Sequence, residues 1–105
     1  MLIPFLTWIE GQEKVLEKEK IFTQEIVFTE KPNVREPKLV VYHYHPRVAF
    51  GSINVWENGD ILVEVFDYQA KEQYLLCEWL TLTKESDLEE LLAPYFDTLK
   101  QKEHV

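Results

Sequence analysis

The segment Val55-Trp56-Glu57-Asn58-Gly59-Asp60-Ile61 commits this chain to a β-hairpin. Asn-Gly is the dipeptide preferred by a two-residue type I′ turn, because both central residues of that turn need φ > 0. Ile53 and Val55 lead into it, and Ile61, Val63 and Val65 lead out. Alternating β-branched residues on both sides of such a turn read as paired antiparallel strands, and this fixes the fold class.

Other elements follow from periodicity. Residues 2–19 read as a helix, with Leu2, Phe5, Leu6, Ile9 and Leu16 on one face and Glu10, Glu13, Lys14, Glu17 and Lys18 on the other. Pro4 fits in its first turn. Gly11 is its weak point, unfavourable by about 1 kcal/mol relative to Ala. Ile21 to Thr29 turns β-like, with Phe22, Ile26 and Phe28 on one parity. A polar loop with Pro32 and Pro37 follows. Leu39–His45, Val48–Trp56, Ile61–Tyr68 and Tyr74–Leu82 read as four further strands, with a turn at Gln69-Ala70-Lys71-Glu72. Gly51 marks a bulge or a close backbone approach.

The last element is a helix. Leu88, Leu91, Leu92, Tyr95, Phe96 and Leu99 make an unbroken apolar face. Thr83 or Ser86 can cap it, and Ser86 with Glu89 fits a capping box. Asp87, Glu89 and Glu90 complement its dipole at one end, as Lys100 and Lys102 do at the other. Pro94 conflicts with this pattern and should kink or split the helix. The expected architecture is a single α+β domain over residues 1–105. Its order is α-β-β-β-β-β-α, an antiparallel meander of four to five strands with both helices on one side. Glu57, Glu64, Asp67 and Glu78 are left to the edge or solvent side.

Charge narrows the function classes. The chain of 105 residues has 19 acids against 11 bases, net −8. The excess is local: residues 57–97 hold eleven acids and two lysines, a sum of −9, while residues 1–56 are neutral. That field repels nucleic acid and attracts basic surfaces, although solubility alone is the blander explanation. With three glycines in all, a glycine-rich phosphate cradle is not expected. The single cysteine, Cys77, excludes an internal disulfide and a cysteine-based zinc site, and its apolar strand context suggests a small buried residue. The apolar start, Met1 to Leu6, lacks the features of a signal peptide, and no window is long enough to span a membrane. A cytoplasmic protein with no cofactor is expected.

Two groups of residues invite a chemical reading. His43 and His45 share a strand face, a spacing that can hold zinc or copper, but no third ligand is marked and ordinary packing is the stronger reading. Glu57, Asp60, Glu64 and Asp67 could suggest paired carboxylates. Hydrolysis needs one of them protonated in an apolar pocket, whereas residues beside a tight turn are solvated. Ser52 and Thr81 lack the context of an activated nucleophile. No catalytic, metal-ligating or cofactor-binding residue is therefore expected. The three tryptophans are candidate binding anchors. Trp79 shares parity with Leu75 and Cys77 and reads as core; Trp56, off the parity of Ile53 and Val55, reads as the most exposed.

The chain resembles the TriTu family of bacterial immunity proteins. The resemblance begins at Phe5-Leu6-Thr7-Trp8-Ile9. It is clearest at Gly51-Ser52-Ile53-Asn54-Val55-Trp56-Glu57-Asn58-Gly59, and continues through Leu62-Val63-Glu64-Val65-Phe66-Asp67 to Ser86-Asp87-Leu88-Glu89-Glu90-Leu91-Leu92. Tyr68-Gln69-Ala70-Lys71 lacks the glycine of the family's turn, and Pro94 departs from its helix. The resemblance implies a non-enzymatic protein that neutralises a cognate toxin by binding it. The charge suggests a basic, nuclease-type toxin, with Trp56, Glu57, Asp60, Glu64 and Asp67 as the contact residues. The alternative is a small adaptor or structural domain whose acidic face only solubilises it.

Overall fold

The computed structural model describes residues 2–33, 35–46, 49–67, 74–83 and 87–100. Its elements run α1 (Leu2–Gly11), α2 (Glu13–Lys18), β1 (Phe22–Phe28), β2 (Leu39–His45), β3 (Ala49–Val55), β4 (Asp60–Asp67), β5 (Tyr74–Thr81) and α3 (Leu88–Lys100). The five strands form one sheet in sequence order, every neighbour antiparallel. The expected meander between terminal helices is thus the observed fold. Val48, Tyr68, the turn at 69–72, Ser86, Lys102 and the Leu2 side chain lie outside what is described.

The helices cover one face of the sheet. Phe5, Ile9 and Leu16 from α1 and α2, with Leu92, Tyr95, Phe96 and Leu99 from α3, bury against Leu39, Val41, Ile53, Val55, Ile61, Val63 and Val65. Each strand residue in that set has odd parity, as the pleat requires of one face. Register brings them into rows across the sheet, such as Val41–Ile53–Val63 and Leu39–Val55–Ile61.

The expected N-terminal helix is two. The first ends at Gly11, and Gln12 interrupts it before α2 begins, as the low helix propensity of glycine would favour. The second closes in a Schellman motif, with Ile21 N–H bonding Leu16 C=O at 2.9 Å and Lys20 N–H bonding Glu17 C=O at 3.0 Å. Lys20 stands in the left-handed position this motif needs, with φ 65°.

The hairpin tip also differs in type. Only Gly59 of the Asn-Gly pair has positive φ, at 97°. Trp56 N–H bonds Asp60 C=O at 2.9 Å, and Gly59 N–H bonds Trp56 C=O at 3.1 Å. Glu57, Asn58 and Gly59 therefore make a three-residue loop with its glycine left-handed, not a type I′ turn. Asn58 favours this form through its side chain: Oδ1 accepts from Asp60 N–H at 2.9 Å, the Asx arrangement that lets Asn hold a turn by itself.

The C-terminal helix is capped by Asp87, whose Oδ1 accepts from Glu89 N–H at 3.0 Å and Glu90 N–H at 3.3 Å. Pro94 lies inside α3 without splitting it.

Candidate partner-binding face

Among the described residues no helix lies on the other face of the sheet. In register across all five strands stand Phe22, Tyr44, Phe50, Phe66 and Tyr74. An aromatic ring therefore occupies every strand of one row. Ring centroids are 5.5 Å apart for Phe22–Tyr44, 6.4 Å for Phe50–Phe66 and 4.4 Å for Phe66–Tyr74. Tyr42 adds a stacked contact to Phe50 at 5.9 Å. These spacings suit mutual ring attraction. The row is half-buried at its centre and open at β5, where Tyr74 is 52% exposed.

Beside it runs a polar row, Glu25–Tyr42–Ser52–Glu64–Cys77. Glu64 is held by Asn54. Asn54 Nδ2 lies 3.3 Å from its Oε1, and Asn54 is itself fixed by Leu62 C=O at 3.1 Å and Ser52 Oγ at 3.2 Å. The negative charge of Glu64 raises the pKa of the nearby Tyr74 hydroxyl. A second aromatic pair, Trp56 and Trp79, meets at 5.1 Å toward the hairpin end, and Trp56 Nε1 donates to Arg35 C=O at 3.3 Å.

Bulges decide which side chains reach this face. The β1 register shifts between Thr23 and Glu25, so Phe22 pairs on the open face while Ile26 packs toward the core. Phe22, Ile26 and Phe28 thus do not share a face as alternation suggested, because one extra residue reverses parity. A second shift, in the β4–β5 pairing at Val65/Phe66, sets Tyr74 opposite Phe66 on the open face. Trp79 and Cys77, expected in the core, are opposite Leu62 and Glu64 on the open side. Trp79 is 63% exposed, and Cys77 is exposed too.

The five acidic-hairpin candidates do not form one patch. Trp56 is half-buried against Trp79, Glu57 and Asp60 are exposed at the tip, and Glu64 lies on the open face. Asp67 has the opposite parity, in a row with His45 and Ala49, and is 6% exposed beneath the helix layer. It cannot meet a partner together with Glu64, because even and odd positions of one strand point to opposite faces. Glu78 faces the helix side but remains exposed, since β5 is an edge strand.

His43 and His45 do share a face, the inner one. His43 Nδ1 and the Tyr95 hydroxyl are hydrogen-bonded at 2.9 Å, and His45 Nδ1 lies 3.1 Å from Pro46 C=O. Burial lowers the pKa of His43 to about 4. Among the described residues no three His, Cys, Asp or Glu side chains gather to hold a metal, and no helix is long and apolar enough to cross a membrane.

The aromatic row escaped the sequence reading because it depends on register between strands. One part of it was accessible: counting five residues out from the Val55–Ile61 pair at the hairpin places Phe50 opposite Phe66. No curated protein and no solved structure matches the chain. A family model described as "Immunity protein TriTu" matches residues 4–98, from the first turn of α1 nearly to the end of α3. Covering the sheet, the hairpin and both terminal helices, that match makes this chain a member of the TriTu immunity protein family.

Proposed function

We propose that the protein neutralises a cognate toxin by binding it, without chemistry of its own, in the cytoplasm. The family match over residues 4–98 carries this reading. The charge supports its finer part, that the toxin is basic and of the nuclease type. The five strands contain Glu25, Asp60, Glu64, Asp67 and Glu78 and no lysine or arginine. Such a surface attracts a cationic active site over distance and occludes it on contact. Trp56, Glu57, Asp60 and Glu64 are the proposed contact residues from the hairpin and β4, and Asp67 is set aside for its burial.

Gene neighbourhood followed by co-expression tests the reading. A toxin gene is expected immediately upstream, and cells expressing that toxin should survive only when this chain is expressed with it. A metabolic operon in that place, or killing that co-expression leaves unrelieved, would overturn the proposal.

A further inference from the structure

The open face combines three properties that ordinary solubilising surfaces lack together. It presents a continuous aromatic row from β1 to β5. It holds a carboxylate, Glu64, fixed by Asn54 beside that row. Its strand positions carry the acids Glu25, Asp60 and Glu64 and no cation. Rings of this kind attract a cation on their faces. A carboxylate ordered in advance loses less entropy when it takes a charged donor. Binding energy concentrates in aromatic anchors at the centre of an interface, while rim charges act on the encounter.

We propose that this face is where the toxin seats. A basic side chain of the toxin reaches the Glu64 carboxylate, and its apolar stem lies along Phe50, Phe66 and Tyr74. This rests on the immunity reading and divides the labour within it. The hairpin acids Glu57 and Asp60 steer the encounter, and the aromatic row with Glu64 holds the complex.

Surface-plasmon measurements of association and dissociation rates with the purified toxin domain test the division. Tyr74→Ala and Glu64→Gln should each raise the dissociation rate about tenfold or more, with association changed less than about threefold. Tyr74 is exposed at an edge strand and Glu64→Gln keeps the side-chain shape, so matching unfolding midpoints separate binding loss from misfolding. Glu90→Gln, on the exposed side of α3, is the control expected to behave as wild type. Tight wild-type binding that both open-face variants retain would overturn the seat and leave the immunity reading standing. Failure of the wild-type protein both to bind and to protect would overturn the reading and the seat with it. Sedimentation completes the test: a dimer that Tyr74→Ala dissociates would assign the face to a second copy of this chain and overturn the proposal.

Discussion

At the scale of single residues the fold turns on one crowded point. Gly51 sits between His43 and Val65 in the sheet, directly under Tyr95 of α3. A Cβ added there would lie 2.7 Å from the Tyr95 hydroxyl oxygen and 3.0 Å from its ring. The sequence left a bulge and a close approach both open at Gly51; it is the close approach, since neither pairing shifts register there. Gly51→Ala should destabilise the protein by about 1–3 kcal/mol in urea unfolding, the usual range for overpacking. Combined with Tyr95→Phe, which removes the crowded hydroxyl, the loss should be less than the sum of the two. Tyr95→Phe alone also strips His43 Nδ1 of its partner. His43 adds a pH dependence. Fully buried, it is favoured in its neutral form, and burial lowers its pKa from the ordinary 6.5 to about 4. The unfolded chain therefore takes up a proton first. The contribution of this group is complete above about pH 6.5 and declines as pH falls toward 4, by roughly 3 kcal/mol at most. Stability measured across that window should show this slope, and His43→Leu should flatten it whatever its effect at neutral pH.

At the scale of elements, local signals and long-range register account for different parts of the structure. Proline in α3 illustrates the first. Pro94 cannot donate to Glu90 C=O, yet both residues are exposed, so water can satisfy the carbonyl and the helix continues. Pro94→Ala should restore the bond and raise stability by about 1 kcal/mol. That is less than the full proline penalty of about 3, because proline also stiffens the unfolded chain. A thermal midpoint that falls instead would show that Pro94 sets a bend the packing of Tyr95 and Phe96 requires. The α3 face from Leu88 to Leu99 was legible because helical period is a property of neighbours in sequence. So were the strands, whereas at Gly11 the sequence marked a weak point in one helix and the chain breaks there into two. Strand facing was not. A register shift turns Phe22 to the open face, whereas Trp79 lies there because Cys77 and Trp79 pair regularly with the open-face positions Glu64 and Leu62. Edge strand β5 also has exposed residues on both faces, so burial could not impose a clean pattern. The candidate site suffered most from this: its tryptophan and hairpin acids could be named from sequence, whereas the ring row beside Glu64 exists only once four registers are fixed.

At the scale of the whole molecule, charge and shape separate into two roles. The acids concentrate after residue 56: eight of the eleven in residues 57–97 stand on the hairpin tip, β4, β5 and α3, while the first half of the chain is neutral. On the proposed reading, a basic toxin approaching from solution would meet that asymmetry before it makes any contact. Steering of this kind depends on ionic strength: the Debye length shrinks from about 30 Å at 0.01 M salt to about 3 Å at 1 M. Over that range the association rate with the toxin should fall about tenfold or more, since steered encounters gain 10 to 1,000-fold, order of magnitude, from such fields. Dissociation should change little, because ring contacts and a half-buried carboxylate at close range are screened far less. Reversing charge at the tip, Glu57→Lys with Asp60→Lys, should lower association at low salt and flatten its salt dependence while leaving dissociation nearly intact. Stopped-flow association across the salt series measures both effects. An association rate that stays flat in the wild type would remove the steering role from the acidic half and with it the charge argument for a nuclease-type toxin, and any binding would then have to rest on the aromatic face alone.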